Sequence, residues 1–247
     1  MKSNDDFPTA TSDFTKYCTK CGHCVAACPN GAIRLESFGP EECDKIRDEL
    51  NIKPEEARQF LRSRRSTRSF KKLTVPRTIL EDLLSVACSA PSGKNRQPWH
   101  WIVVESRSEI QNLASKVIEW MRTVVKDNPD EAMKRRFDRA VCYWDKGYDS
   151  ICRGAPYLIV VHCKNDWPFN AEDCALALGQ LDFYATSIGL GTCWGGYFYK
   201  AVNRYKPLFD ALGLPADHLA FGALMVGYPK IKYLRIPKRN APRVVWK

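Results

Sequence analysis

Apolar residues recur at helical spacing in several segments of the chain. Between residues 78 and 90 they fall on one face of a predicted helix: Ile79, Leu80, Leu83, Leu84 and Ala87. The same spacing, together with start and stop signals, predicts further helices. They are expected in residues 41–65 with Pro54 in the first turn of a second helix, from Ser106 to about Lys126, over the charged stretch 130–146, and over 171–188 between an Asn170 cap and Gly189.

Short apolar runs bounded by turn residues predict strands. They cover residues 99–105, 157–163 and 219–229, whereas GLGTCWGGYF (189–198) is expected to be a tight turn. Because the helices are unequal and the strands few, the pattern favours an α+β fold over a regular doubly wound sheet. A loose leader (1–16) precedes a cysteine-rich segment, so the predicted domains are residues 1–40 and 41–247.

The composition bounds the class of protein. A chain of 247 residues that is 45% hydrophobic can bury one substantial core and carry a small appendage. Eleven cysteines behind a polar N-terminus, with no long apolar run, predict a soluble, cytoplasmic protein whose thiols are reduced or metal-bound. The net charge of +10 allows anionic partners, namely nucleic acid, acidic lipid or a phosphate-bearing cofactor.

One segment packs four cysteines into a short run that ends at Pro29: Cys18, Cys21, Cys24 and Cys28. The spacing C-x2-C-x2-C-x3-C-P is that of bacterial ferredoxins, whose thiolates hold a 4Fe–4S cluster. Gly22 is expected to let the backbone turn between ligands, and NGAI (30–33) to form a closing strand. The alternatives are a structural zinc site, which usually takes two separated cysteine pairs, and buried cysteines without a metal.

The spacing leaves the fourth cluster ligand open. In ferredoxins with two clusters, the fourth cysteine of each run binds the other cluster, but this chain has one run. Cys28 is the default fourth ligand, and Cys43 could loop back instead. A third alternative is that a further run lay upstream of Met1.

A basic segment, RSRRSTRSF (62–70), suits a phosphate ester. It brings together guanidinium groups and a hydroxyl that can bind phosphate oxygens, although basic runs are often solvated surface: Arg64, Arg65, Ser66 and Arg68. A second basic run, RIPKRNAPR (235–243), lies in a tail with seven Lys or Arg and no acid. The loop APSGKNRQPW (90–99) offers Asn95, whose amide can bind a heterocycle edge or simply turn the loop.

Residues 55–247 resemble the FMN-dependent nitroreductase family. Five blocks in order carry the resemblance: RRSTRSF, APSGKNRQPW, RGAPYLIVV, GLGTCWGGYF and GYP. The front end is similar to the subgroup in which an iron–sulfur module precedes the flavin domain, although such proteins often carry two cysteine runs. The resemblance implies an antiparallel-rich sheet flanked by helices, and an intertwined homodimer with FMN at the subunit interface.

The resemblance also implies roles for single residues. The FMN phosphate and ribityl chain would be held by Arg64, Arg65, Ser66 and Arg68. Around the flavin ring, the expected residues are Asn95 as a hydrogen-bond partner, Pro91 and Ser92 packing close by, and Gly195 and Gly196 supplying backbone N–H groups near N5. Either Lys238 or Arg239 would close over the phosphate. No catalytic side chain is expected, because the cofactor carries the redox chemistry.

The expected activity is reduction of nitro, quinone or similar small acceptors in a ping-pong cycle. NAD(P)H or reduced ferredoxin would supply electrons, with the iron–sulfur module as an inlet. Dehalogenation, enone reduction and flavin-consuming cofactor synthesis are alternatives on the same scaffold. A basic nucleic-acid-binding protein with a structural cluster is a remote alternative, because the basic residues gather where a phosphate cofactor is expected and no nucleic-acid motif is present.

Two residue types are expected to be structural. Cys193, beside the glycine-rich turn, is interpreted as a packed small residue, since nothing marks its pKa as lowered. The four histidines are scattered along the chain, and each is interpreted as structural rather than as a ligand: His23, His100, His162 and His218.

Overall fold

The computed structural model describes the backbone of residues 2–4 and 7–247 and the side chains from Ala10 onward. The chain forms two compact units. One contains Met1–Ile52 and Ser92–Gln97, and the other contains Lys53–Pro91 and Pro98–Lys247. The predicted domain boundary between residues 40 and 41 stays a prediction.

The first unit is built from short elements. Strands β1 (Lys2–Asn4) and β2 (Phe7–Thr9) pair antiparallel, and the single-turn helices α1 (Phe14–Tyr17) and α2 (His23–Ala26) follow. The prediction of a loose leader is therefore wrong where these two strands form. Met1, Asp5 and Asp6, which also belong to the predicted leader, lie outside the described part of the chain.

Residues 30–53 are less regular than the sequence pattern indicated. The strand predicted for 30–33 is replaced by a turn, in which the Gly31 N–H donates to the Cys28 carbonyl at 3.2 Å. Only two 3-10 turns, Pro40–Glu42 and Asp48–Leu50, precede helix α3 (Pro54–Ser63) in the described residues of the 41–65 stretch. Pro54 begins α3 as predicted, since a first-turn N–H needs no partner within the helix.

The second unit is built from helices around one antiparallel sheet. Among the described residues, four strands form this sheet in the order β3-β4-β6-β5. Their bounds are β3 (His100–Val104), β4 (Tyr157–Lys164), β5 (Gly191–Trp194) and β6 (His218–Gly227). The predicted α+β class is confirmed.

Helices cover both faces of the sheet. The second unit holds α4 (Arg77–Ala87), α5 (Arg107–Asp127), α6 (Pro129–Arg135), α7 (Phe137–Asp145), α8 (Asn170–Ser187), α9 (Gly196–Val202) and α10 (Lys206–Leu212). In β4, Leu158 and Val160 pack with residues of α5 and α9, whereas Ile159 and Val161 pack with residues of α4 and α8. Alternate side chains point to opposite faces of a strand, so the sheet separates two hydrophobic cores.

Three predicted elements differ in detail from the observed ones. The charged stretch 130–146 forms two helices, because Arg136 adopts a left-handed conformation between them. Asn170 does not cap α8: Phe169 precedes the helix, and the Asn170 amide donates to the Lys164 carbonyl at 2.7 Å. The predicted glycine-rich turn is strand β5 followed directly by α9.

No helix in the described part of the chain is both long and apolar enough to cross a membrane.

Candidate functional site

The basic segment of residues 64–68 is fixed against the edge strand β5. The Thr67 N–H donates to the Thr192 carbonyl at 2.7 Å, and the Thr67 side chain is buried. A Cβ atom on Gly191 would lie 2.2 Å from Thr67 Oγ1, so only glycine leaves room for this contact. Burial of Thr67 therefore anchors the middle of the segment and leaves its basic side chains on either side.

Arg64 is tied to helix α8. Its guanidinium lies 3.3 Å from a carboxylate oxygen of Asp182, and the other Asp182 oxygen accepts a hydrogen bond from the Thr192 hydroxyl. Asp182 thus joins α8, β5 and the basic segment through one carboxylate. Both members of this ion pair are largely buried, at 25% and 20% side-chain exposure, so the pair is screened less than a surface pair.

Arg65 and Arg68 are cations for which the described part of the chain offers no partner. Within the described residues, neither guanidinium has a carboxylate or hydrogen-bond partner, and Ser66 between them has none either. Arg65 and Ser66 are half-buried, whereas Arg68 is exposed. A half-buried guanidinium has lost part of its hydration, so an anionic partner stabilises it more than it would stabilise a fully exposed one. This donor set fits a phosphate group.

The C-terminal tail runs beside the same region. The Lys71 N–H donates to the Tyr228 carbonyl at 2.8 Å, and the Lys230 N–H donates to the Ser69 carbonyl at 3.0 Å. Further along, the tail lines a cavity of about 470 Å³ at the end of α3: Gln59, Ser63, Tyr233, Leu234, Arg235 and Ile236. The two candidate phosphate residues of the tail, Lys238 and Arg239, come next in sequence and are exposed.

The predicted glycine pair lies where β5 passes into α9. The Gly195 N–H donates to the Ala223 carbonyl of β6 at 2.7 Å, so it is already engaged within the protein. Gly196 begins α9, where helix N–H groups have no partner in the helix itself. Trp194, just before the pair, is 42% exposed, whereas Phe198 after it is fully buried.

The predicted flavin-ring residues come from a loop that the two units share. Pro91 is exposed and belongs to the larger unit, whereas Ser92 and Asn95 belong to the smaller one. Ser92 Oγ accepts from the Gln97 N–H at 2.9 Å. Asn95 Nδ2 donates to the backbone carbonyls of Lys20 and Thr19 at 3.2 and 3.4 Å, so its amide contacts the cysteine-rich segment.

The cysteine-rich segment surrounds its sulfur atoms with donors. The Lys20 N–H donates to Cys18 Sγ at 3.4 Å, and the Ala32 N–H donates to Cys28 Sγ at 3.3 Å. Gly22 has φ of +76°, and a Cβ there would lie 2.6 Å from the Phe38 ring, so the predicted backbone turn between Cys21 and Cys24 is present. Backbone N–H groups directed at cysteine sulfurs are the environment that iron–sulfur clusters use.

Two of the four thiols have lowered pKa values. The His23 backbone N–H and ring, with Nδ1 2.9 Å from Cys21 Sγ, lower the pKa of Cys21 to about 7. Hydrogen bonding from the Ala32 N–H lowers the pKa of Cys28. Cys43, the alternative fourth ligand, instead directs its thiol at the Gly39 carbonyl at 3.5 Å. Because thiolates are the metal-binding form, this donor chemistry favours Cys28.

The same segment bears on the zinc alternative. In the described part of the chain, no three His, Cys, Asp or Glu side chains stand close enough together to hold a single metal ion. A four-iron cluster differs because its four sulfur ligands bind four separate irons.

Three histidines that are scattered in the sequence meet at one end of the sheet. His100, His162 and His218 come from β3, β4 and β6, and their ring centroids lie 5.0–5.5 Å apart. The Nδ1 atoms of His162 and His218 are 2.9 Å apart. Their positions in the sequence gave no sign of this, because strand pairing alone brings them together. Cys193, by contrast, is buried as predicted.

Comparison with known proteins agrees with the fold and with the motif order. Residues 61–228 match the sequence profile described as "Nitroreductase family", and residues 14–34 match the one described as "4Fe-4S binding domain". The chain belongs to the nitroreductase family. This assignment confirms the resemblance and makes the protein an oxidoreductase.

Two curated relatives illustrate the range of the family. The 4-nitrobenzoate reductase of Nocardioides sp. is 39% identical over 200 residues, which cover 68% of this chain and 78% of the relative. The iodotyrosine deiodinase of Thermotoga neapolitana is 33% identical over 180 residues, covering 70% of this chain and 90% of the relative.

Solved structures share the fold at low identity. A nitroreductase with bound FMN from Bacteroides fragilis has a TM-score of 0.61 at 21% identity and covers 77% of this chain and 98% of its own. A BluB-like flavoprotein from Clostridium difficile also has a TM-score of 0.61, at 22% identity, and covers 75% of this chain and 95% of its own. These likenesses confirm the helix-flanked antiparallel sheet.

Sequence reasoning missed two residues that organise the site. The sequence pattern assigns no role to Asp182, although it joins Arg64 to Thr192. Gly191 lies in the segment predicted to be a turn, but it makes room for Thr67 beside a strand. An acid on the inner face of an Ala- and Leu-rich helix was the one available signal for Asp182, since buried acids are usually paired.

Proposed function

We propose that the protein is an FMN-dependent reductase of small organic acceptors. The carrying observation is the half-buried Arg65, which has no protein partner in the described residues and lies beside Arg64 in a segment anchored to β5. FMN, when bound, supplies the redox chemistry by accepting one or two electrons and passing them on. The FMN bound to the Bacteroides fragilis nitroreductase supports this proposal.

The basic segment would hold the phosphate end of the cofactor. Arg65 and Arg68 offer planar forks of N–H donors to phosphate oxygens, and Ser66 adds a hydroxyl. Arg64 is oriented by Asp182, so it presents a fixed donor rather than a mobile one. Lys238 or Arg239 would add a further positive charge from the tail. The roles of Pro91, Ser92, Asn95, Gly195 and Gly196 at the flavin ring stay predictions.

The cysteine run would hold a 4Fe–4S cluster through Cys18, Cys21, Cys24 and Cys28. N–H donors at Cys18 and Cys28 and the low pKa of Cys21 support thiolate ligands. Such a cluster transfers single electrons, so it would be an inlet from reduced ferredoxin, with NAD(P)H as the alternative donor. Donor and acceptor would then bind in turn, in a ping-pong cycle.

Nitroaromatic compounds are the first acceptor class to test, because the 39% identical relative is named for reduction of 4-nitrobenzoate. Reductive dehalogenation of an aromatic ring is the second candidate. The observation that favours it is the similarity to the iodotyrosine deiodinase of Thermotoga neapolitana, because the match covers 90% of the length of that relative.

A homodimer would complete the protein. Apolar side chains of the tail are exposed in the single chain: Ile231, Tyr233, Leu234, Ile236, Val244, Val245 and Trp246. Exposed apolar residues concentrated in one segment are typical of a surface that a partner covers. This supports the intertwined pairing that the resemblance implied.

The phosphate role of Arg65 can be tested with two ligands. We expect Arg65→Ala to weaken FMN binding about 10- to 100-fold, as loss of a charge-assisted hydrogen bond does, and to leave binding of riboflavin, which lacks the phosphate, unchanged. Arg62→Ala is the matched control, since Arg62 is exposed on α3 and loses the same charge. Equal FMN affinity in the two variants, measured by flavin fluorescence, would reject the proposed phosphate site.

A further inference from the structure

The loop of residues 92–97 carries an unusual amount of backbone strain. Lys94, Asn95 and Gln97 all have positive φ, at 53°, 56° and 47°. Such conformations are strained for residues other than glycine, and they persist where the surrounding contacts hold them. Asn tolerates this region better than most residues, because its short side chain can bond locally. The contacts of Asn95 are therefore candidates for the interactions that hold the loop in this conformation.

Asn95 reaches the turn between the first two cysteines of the run. Its Nδ2 donates to the Lys20 carbonyl at 3.2 Å and to the Thr19 carbonyl at 3.4 Å. Gln97 Nε2 donates to Asn95 Oδ1 at 3.2 Å, which fixes the amide with its N–H groups toward the turn. An amide nitrogen carries two protons, so both carbonyls can be served at once.

The turn held by Asn95 is the one that directs two sulfur atoms. Thr19 and Lys20 are the only residues between Cys18 and Cys21. Lys20 itself has a positive φ of 53°, and its N–H donates to Cys18 Sγ at 3.4 Å. The two carbonyls that Asn95 binds belong to the peptides that follow Thr19 and Lys20. Rotation of these peptides would change the direction of the Lys20 N–H and of the Cys21 side chain.

We propose that Asn95 is a positioning residue for the cysteine turn and, through it, for the 4Fe–4S cluster. The inference rests on the proposed cluster at the cysteine run. It concerns the contact of Asn95 with the cysteine turn and is separate from the flavin-ring contact, which stays a prediction. Residues that orient metal ligands through hydrogen bonds typically change metal affinity 10- to 100-fold when they are replaced.

Two substitutions of Asn95 test the proposal in the full-length, cluster-loaded protein. Asn95→Asp keeps the size and the acceptor for Gln97 but removes the N–H donors, and Asn95→Gly removes the side chain while tolerating the positive φ. We expect both variants to release iron to a chelator about 10-fold faster than the wild type and to show a shifted midpoint potential of the cluster in a redox titration followed by electron paramagnetic resonance. An effect shared by both variants comes from the lost donor, because only Asp adds charge and only Gly adds backbone freedom.

Asn112→Asp is the control for added charge, since Asn112 is exposed on α5. Its iron release and cluster potential should match the wild type. If Asn95→Asp and Asn95→Gly keep wild-type iron release and potential, the positioning role is overturned, whether or not their FMN affinity falls. If the wild-type protein reconstituted with iron and sulfide holds neither, the proposed cluster itself fails, which is a distinct result.

Discussion

At the scale of single residues, the candidate phosphate segment depends on the absence of a side chain at Gly191. A Cβ there would lie 2.2 Å from Thr67 Oγ1 and 2.8 Å from Thr67 Cβ. Because Thr67 is buried and its N–H is bonded to Thr192, it cannot withdraw without breaking the contact that anchors the segment.

Gly191→Ala should therefore destabilise the protein by about 1–3 kcal/mol, the usual range for overpacking a core. Urea unfolding measures this, and a fall in FMN affinity should accompany it because the basic segment would move. Gly179→Ala on α8 is the matched control, since its Cβ would meet no atom within 4 Å, and it should leave stability equal or up to about 1 kcal/mol higher. A Gly191→Ala variant as stable as the wild type would contradict the packing argument.

Residue types indicated chemistry better than they indicated contacts. Arg65, Ser66 and Arg68 could be proposed for a phosphate from their donors alone. The partners of Asn95 could not be inferred, because its amide suits a flavin ring as well as a backbone carbonyl, and Thr19 is 76 residues away in the chain. The contact depends on a strained loop whose conformation local propensity does not predict.

At the scale of elements, three adjacent strands bring their histidines together. His100 is paired with His162 in the register of β3 and β4, and His218 lies at the start of β6 beside Lys164. Burial, followed by the charges of His218 and His100, lowers the pKa of His162 to about 4. Asp217 and Lys164 form a salt bridge of 3.4 Å nearby, and Asp217 also lies 4.0 Å from His218.

This arrangement predicts a loss of stability in mild acid. In the unfolded chain His162 takes up a proton near the ordinary imidazole pKa of about 6.5, whereas the folded protein resists protonation until about pH 4. The contribution of neutral His162 to the free energy of unfolding is thus fully present above about pH 6.5. It is lost as the pH drops toward 4, which lowers the stability by up to about 3 kcal/mol.

His162→Gln removes this titration, so the free energy of unfolding should depend less on pH between 6.5 and 4 than in the wild type. Urea unfolding at several pH values measures the difference, and the other acidic and basic groups are common to both proteins. Identical pH dependence in the two would show that His162 titrates normally.

Element types followed the sequence pattern where burial reinforced it. The apolar runs around β4 and β6 and the amphipathic spacing of α4 and α5 are periodic, and the predicted elements formed there. The glycine-rich stretch before α9 was misassigned because its pairing with β6 supplies hydrogen bonds that the local sequence does not reveal. Asn170 suits a helix cap, yet tertiary contact with Lys164 uses its amide instead.

At the scale of the whole molecule, the chain combines a nitroreductase-family unit with a segment matching a 4Fe–4S binding domain. If the cluster is an electron inlet, its loss should affect one electron donor and spare the other. NAD(P)H would deliver its electrons without the cluster, whereas ferredoxin transfers one electron at a time and would need it.

Cys21→Ser tests this division of labour. We expect reduction of the bound flavin by reduced ferredoxin to slow about 10-fold or more, because one cluster ligand is lost, while reduction by NAD(P)H keeps its rate. Bleaching of the flavin absorbance measures both rates. Cys142→Ser is the control, since Cys142 is an exposed cysteine on α7, and the inlet hypothesis fails if Cys21→Ser leaves every donor equally effective.

The sequence alone determined the local properties of this protein: the cysteine spacing, the basic segment, the periodic helices and strands, and the order of the motifs that identify the family. These follow from residue type and from neighbours close in the chain. Only the tertiary structure decided that Gly191 admits Thr67, that Asp182 orients Arg64, that three histidines meet, and that Asn95 binds the cysteine turn. Each of these contacts joins residues far apart in sequence, and their geometry depends on strand pairing and core packing rather than on local propensity.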